Sequence, residues 1–249
     1  MVMTMHTTPT GATLAWPSVG AAGWWQHRAG RTAAREPSSP VALVGFVVGA
    51  MLAVSVAVGA ISDDDIAPPG PVLLVGDSLF FQSGDELRSA LEDDGWEVHT
   101  VAHPGAGIKG GGYTDNFEWS STLREVVNQV RPEVAIVELG TNGCGDGCSS
   151  VPDAIDGVLD SLVGVDTVLW LTVRVHAPRP GNPRSINDDL RAAAESSPNL
   201  ELLPFGRWME QPGLIRPDGV HLTPAGQLVL AAHVRDALRE RAGIGDDRS

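Results

Sequence analysis

Cysteine is almost absent from this chain. Two cysteines among 249 residues are too few for a disulfide-rich scaffold or, by themselves, for a closed zinc site. Basic residues are also scarce, with 17 Lys and Arg against 31 Asp and Glu and a formal net charge of -14. A surface of that sign repels phosphate backbones, which sets duplex DNA and RNA aside as partners. Charged residues of both signs reach only 19% while hydrophobic ones reach 43%. That balance excludes a mostly disordered chain and permits a sizeable core. At about 100 to 200 residues per domain, the length allows one domain with something smaller attached.

The negative charge is unevenly spread. The first forty residues hold Arg28, Arg31 and Arg35 against Glu36 alone, so the excess of acid falls on the remainder. Between the two lie residues Val41 to Ile61, in which Ser55 is the only polar side chain. As a helix rising 1.5 Å per residue, this run is about 30 Å long, enough to cross a hydrocarbon core. Arginines precede it and Asp63, Asp64 and Asp65 follow it. The positive flank is expected to stay in the cytoplasm, which places the rest of the chain outside. We read the run as an uncleaved transmembrane signal anchor. A cleaved signal peptide is the competing account, because Val58 and Ala60 present small side chains at suitable offsets, and cleavage makes the protein secreted. Residues 1–40 read as a flexible cytoplasmic tail, with no function assigned to Trp24 or Trp25. Residues 62–71, with Pro68, Pro69, Gly70 and Pro71, read as a linker, and 72–245 as the folded domain.

Within that domain apolar runs alternate with amphipathic stretches. Strands are expected at Val72–Val75, Trp96–Val101, Val134–Leu139, Thr167–Val173 and Leu200–Leu203. Ser83 and Glu86 read as a capping box opening a helix that ends near Gly95. Further helices are expected over Ser121–Val130, from Pro152 as a first-turn proline, over Ser185–Glu195, and from Thr223–Pro224 to about Arg241. Strands alternating with helices predict a parallel sheet covered on both faces, with ligands beyond the carboxyl ends of the strands.

That geometry gives a few short motifs a shared location. Gly76-Asp77-Ser78 follows the first strand, Gly140-Thr141-Asn142 follows the third, and Pro217-Asp218-Gly219-Val220-His221 lies just before the last helix. A serine hydroxyl is a poor nucleophile until a base takes its proton, and imidazole suits that task near neutrality. In this arrangement Ser78 is the nucleophile, His221 the base, and Asp218 the carboxylate that holds the imidazole tautomer. Attack on an ester creates an oxyanion, which needs donors fixed in advance. The Ser78 N–H, a glycine N–H after the second strand and the Asn142 amide are the candidates. Each motif alone is an ordinary turn or helix cap; order, spacing and position at strand ends give them force. Asp77 is expected to organise its loop, and His99, His103, His176 and His233 to be surface or packing residues.

Over roughly residues 71–241 these motifs resemble the SGNH hydrolases, the GDSL family of esterases and lipases. The resemblance implies an α/β three-layer sandwich on a parallel, flavodoxin-like five-stranded sheet. It assigns Ser78, His221, Asp218 and Asn142 the same roles. The family's second block is matched loosely by Ala102-His103-Pro104-Gly105-Ala106-Gly107-Ile108, where Gly107 is preferred to Gly105 as the backbone donor. Residues Thr172 to Pro180, with Asn187 and Arg216-Pro217-Asp218, resemble the SGNH domains found with membrane acyltransferases that modify surface glycans. No cofactor or metal is implied. The expected activity is that of a membrane-anchored extracytoplasmic serine esterase. It would hydrolyse acyl esters, acetyl esters among them, carried on cell-wall glycan, lipid or a small molecule. Acyl transfer to a surface glycan is the alternative, as is a catalytically silent glycan-binding module. The intact set of four side chains favours an enzyme.

Cys144 and Cys148 are four residues apart in a glycine-rich stretch following Asn142. Outside the membrane, cysteines this close are expected to be bonded to each other. Closing so short a loop stabilises by about 2 kcal/mol on the chain-entropy model. Two roles stay open, a brace that holds the Asn142 amide and a surface staple without kinetic consequence.

Overall fold

A computed structural model describes residues 69–112, 117–175 and 182–243. The proposed tail and anchor, residues 1–61, lie outside the described residues, as does His176. None of the described helices is long and apolar enough to cross a membrane.

Five strands form one sheet: β1 (Pro71–Gly76), β2 (Glu97–Ala102), β3 (Val134–Glu138), β4 (Thr167–Leu171) and β5 (Leu200–Leu203). The spatial order is β2-β1-β3-β4-β5 and every pairing is parallel. This is the flavodoxin-like order, and its strand direction of growth reverses between β1 and β3. Alternate residues of each strand point to opposite faces, so the central strands supply two cores. Val72, Leu74, Ile136 and Leu169 pack on one side beneath α2 (Gly84–Glu92) and α7 (Pro224–Ala242). Leu73, Val75, Val137 and Trp170 pack on the other beneath α3 (Trp119–Val130), α4 (Val151–Ser161) and α5 (Pro183–Ser196). Burial on both faces explains why these strands read as continuous apolar runs rather than as alternating ones.

Two short helices were not expected, α1 (Ser78–Gln82) and α6 (Phe205–Trp208). Helix α1 also overturns the capping-box reading of Ser83. Because α1 runs directly into α2, the Ser83 N–H donates to the Leu79 carbonyl at 3.1 Å. Its side chain is fully buried and caps nothing. The other caps follow the sequence. Ser150 accepts from the Asp153 N–H, and Thr223 accepts from the Gly226 N–H, each with proline in the first helical turn. Strand β4 stops at Leu171, two residues short of the expected Val173. There the Asn187 side chain takes over both backbone groups of Val173, accepting from its N–H at 2.7 Å and donating to its carbonyl at 2.8 Å.

Candidate active site

The carboxyl ends of β1 and β3 meet at the reversal point, and the chain leaves both in tight turns. Gly76 is required by closeness: a Cβ there would lie 2.5 Å from the Phe80 Cβ, so only glycine lets α1 fold back on the strand end. Asp77 caps α1, its Oδ1 accepting the Leu79 N–H at 2.9 Å. Ser78 thus occupies the first helical position, where its own N–H has no intrahelical acceptor. At the end of β3, Gly140 adopts φ +118°, which side chains rarely tolerate, and a Cβ would press within 2.7 Å of Val173.

The third segment is a loop closed by an isolated bridge between Ile215 and Leu222. The Arg216 N–H donates to the His221 carbonyl at 2.7 Å, and its Nε donates to the Leu222 carbonyl at 2.7 Å. Inside it, Asp218 Oδ1 accepts the Val220 and His221 N–H groups at 2.9 and 3.0 Å. Its Oδ2 lies 2.8 Å from His221 Nδ1. The backbone donation from Val220, then the His221 ring, hold the Asp218 carboxyl down at about 2, below the usual carboxylate range. On the opposite side of the ring, His221 Nε2 lies 3.1 Å from Ser78 Oγ across 143 residues of sequence. One continuous chain therefore runs from Asp218 through the imidazole to the Ser78 hydroxyl.

The candidate oxyanion donors differ from the expectation in two respects. Asn142 does reach the site, but its Nδ2 donates to Asp77 Oδ2 at 2.7 Å and to the Ala106 carbonyl at 3.2 Å. Both amide hydrogens are engaged in this state, so contact with a substrate oxygen requires one to exchange its acceptor. Gly107, the preferred backbone donor, is also committed. Its N–H donates to the Gly110 carbonyl at 2.9 Å and its carbonyl accepts from Trp119 Nε1 at 2.9 Å. The reason is packing: Gly107 lies against the Cys144–Gly145 peptide, where a Cβ would come within 2.3 Å of the Gly145 nitrogen. The Gly107 N–H thus has an internal acceptor, whereas the Gly105 N–H, at φ +81°, has none among the described residues, which makes Gly105 the alternative donor.

Sequence reasoning missed Glu138, the last residue of β3. It is 3% exposed and lies beside the fully buried Asp77. Its Oε1 accepts the Thr141 hydroxyl at 3.1 Å, and Oε2 accepts the Asp77 N–H at 3.4 Å. Burial first, then the neighbouring Asp77 charge, push the Glu138 carboxyl well above the ordinary value. Glu138 is thus the neutral partner, and it donates its proton to the Asp77 carboxylate. The available signal was a single acidic residue inside an otherwise apolar strand.

The remaining residues fall outside the chain of contacts. His99 pairs with Glu97, His103 stacks on Phe117 and His233 stacks on Trp208. Cys144 and Cys148 are bonded to each other, with Cα atoms 5.8 Å apart. Among the described residues no cluster of acidic, histidine or cysteine side chains is arranged to hold a metal ion.

The family model that matches is described as a protein of unknown function (DUF459) and covers residues 71–149, from β1 past the disulfide. Comparison with curated proteins finds no match. Solved structures are more informative. A carbohydrate acetylesterase, Est24 of Sinorhizobium meliloti, superposes with a TM-score of 0.55 at 17% identity, over 69% of this chain and 99% of that one. A carbohydrate esterase family 3 protein of Talaromyces cellulolyticus gives 0.53 at 14%, over 71% and 100%. The C-terminal catalytic domain of the peptidoglycan O-acetyltransferase OatA of Streptococcus pneumoniae gives 0.50 at 18%, over 70% and 95%. The likeness is one of fold, the parallel five-stranded α/β sandwich that this chain shares with these esterase and acetyltransferase domains. At these identities the likeness concerns architecture, and the chemistry must be argued from the site.

Proposed function

We propose that this protein is a serine esterase that hydrolyses acyl esters of carbohydrate, acetyl esters foremost, through an acyl-serine intermediate. The observation that carries the reading is the unbroken contact series Asp218–His221–Ser78, with 2.8 and 3.1 Å between heavy atoms. In the first step the Ser78 hydroxyl proton passes to His221 Nε2 as Oγ bonds to the ester carbonyl carbon. The carbonyl oxygen takes up the negative charge and is met by the Ser78 N–H, the Gly105 N–H and one released hydrogen of the Asn142 amide. Collapse breaks the bond to the alcohol oxygen, which leaves with the proton held by His221. A water molecule then gives a proton to the imidazole as its oxygen bonds to the acyl carbon, and collapse breaks the bond to Ser78 Oγ, releasing the carboxylic acid while His221 returns the proton to Oγ. Asp218 stays ionised throughout and steadies the imidazolium.

The structural neighbours support this substrate class, two being named as carbohydrate esterases. A third is named as an O-acetyltransferase domain. It motivates a second outcome in which a sugar hydroxyl replaces water. We further propose that residues 41–61 anchor the chain in the membrane, that 72–245 form the catalytic domain, and that this domain faces away from the cytoplasm. The apolar run and its flanking charges support that placement.

The test is turnover of p-nitrophenyl acetate and of an acetylated oligosaccharide by the wild type and by Ser78→Ala. We expect the variant to lose at least about a thousandfold in kcat. Equal rates from both proteins would remove the esterase reading. Adding an unacetylated oligosaccharide and following acetyl transfer by mass spectrometry separates hydrolysis from transfer.

A further inference from the structure

The loop after β4 carries a feature that the reaction above does not use. A cleft of about 650 Å³ opens on the same carboxyl-end rim, and its walls present Arg174, Arg184, Arg191 and Arg207 with one acidic side chain, Glu210. In a chain of net charge -14, four guanidinium groups around one cavity are a local reversal of sign. Arg191 pairs with Asp188 on its own helix. Arg184 and Arg207 are exposed, and neither forms an ion pair with a described residue.

The cleft is joined to the catalytic loop. Arg174 Nη1 donates to the Gly219 carbonyl at 2.7 Å, between Asp218 and His221. The backbone beneath Arg174 is fixed by the buried Asn187, which clamps both polar groups of Val173. One guanidinium therefore touches the catalytic loop while its other donors remain available to a bound group.

We propose that this cleft binds the carboxylate of an acidic sugar, so that the preferred ester is one carried on a uronic-acid-type or other carboxylate-bearing saccharide. The proposal rests on the esterase reading of Ser78. Guanidinium forks match a carboxylate in a bidentate manner. Glu210 supplies an acceptor for sugar hydroxyls and disfavours a doubly charged phosphate. The large net negative charge repels anions at long range, so the preference has to come from contacts within roughly a Debye length, about 10 Å. It should therefore appear as a dependence on individual arginines.

The experiment uses the full-length protein and the double variant Arg184→Gln/Arg207→Gln, with unchanged thermal midpoints as the check on folding. The readout is the ratio of kcat/KM on acetylated glucuronate oligomers to that on acetylated neutral xylo-oligosaccharides. We expect a ratio of about five to ten in the wild type, falling to near one in the variant. A wild-type ratio near one, or a preference that survives both substitutions, overturns the proposal. If neither ester is turned over, the esterase reading fails instead, and calorimetry with unacetylated glucuronate oligomers decides the cleft. Binding by the wild type that the variant loses upholds it, whereas equal or absent binding overturns it. Stronger competition by oligo(glycerol phosphate) than by oligoglucuronate overturns the assignment to a sugar carboxylate.

Discussion

Asp218 and Glu138 both belong to the surroundings of the candidate site, and their own environments drive their carboxyl groups in opposite directions. The Asp218 side chain is 47% exposed, accepts two backbone N–H groups and the imidazole, and is held down at about 2. Glu138 is buried against Asp77 and pushed upward. One carboxyl is kept charged by donors and the other kept neutral by desolvation and a like charge, so the same functional group serves two purposes. In the proposed reaction the charged one holds the Nδ1 side of the imidazole, across the ring from the proton that moves between Ser78 Oγ and Nε2. The neutral one shares a proton with Asp77, which in turn holds the Asn142 amide. In the proposed reaction the base and its carboxylate lie on the exposed loop, and the residues that position Asn142 lie in the buried pair.

The largest effect should come from breaking the exposed half. His221→Ala should lose nearly as much activity as Ser78→Ala, on the order of 10³-fold or more, because the two act as a unit. Asp218→Asn should lose less, since the ring then keeps a neutral partner of similar shape. Thermal midpoints should barely move in His221→Ala and show only a small deficit in Asp218→Asn, because the loop that carries both residues is partly exposed. A fully active His221→Ala enzyme would contradict the assignment.

The buried half should fail in the other currency, stability. Glu138→Leu leaves the Asp77 carboxylate buried without its proton donor, and we expect a loss of about 2 to 4 kcal/mol in chemical denaturation. Glu138→Gln keeps a neutral donor to Asp77 and an acceptor for Thr141, so it should restore stability. If the leucine variant is as stable as the wild type, the pair is not a structural unit.

The two carboxyls also predict opposite dependences on pH. An unfolded glutamate titrates near 4.3. Above that value and below the raised native value, the folded chain holds a proton that the unfolded chain has released. Wild-type stability then falls as pH rises, while Glu138→Gln is immune, so the variant's thermal midpoint should gain on the wild type from about pH 4.3 upward. For Asp218 the sign reverses. Its contribution is present above the unfolded value near 3.9 and is lost as pH falls towards about 2, so the deficit of Asp218→Asn should shrink on acidification. Exposure makes this second shift the smaller one. Midpoints of wild type and both variants from about pH 2 to 8 test the pair of signs together.

Much of this arrangement was readable from residue types. The central strands announced themselves because both faces are buried, and the Ser78, Asn142 and Asp218–His221 segments were expected on one rim because parallel sheets collect functional groups at strand ends. Helices α1 and α6, with five and four residues, are too short to show a period, and the misreading of Ser83 follows from overlooking α1. Helix α3 begins at Trp119 rather than Ser121 because the indole is fully buried and donates to Gly107, a tertiary bond with no local sign. The choice between Gly105 and Gly107 turns on which N–H meets an internal carbonyl, which spacing does not encode. Glu138 was hidden inside a strand read for its apolar neighbours.

The smallest expected effect concerns the disulfide, and it decides between the brace and the staple. The bridge encloses Gly145 to Gly147, downstream of Asn142. The preceding residues are already held, since the Ile108 N–H donates to the Gly143 carbonyl at 3.1 Å and the Lys109 N–H to the Cys144 carbonyl at 2.8 Å. Asn142 itself is fixed by Asp77 and Ala106, and neither contact passes through sulfur. Reduction should therefore relax the far side of the ring, lowering stability by at most about 2 kcal/mol, while kcat stays within about twofold because the amide keeps its partners. Thermal melts and initial rates with and without reductant make the comparison. A rate that falls while the midpoint holds would show that the bridge acts through Asn142, and would move the glycine-rich loop from the scaffold into the positioning half of the site.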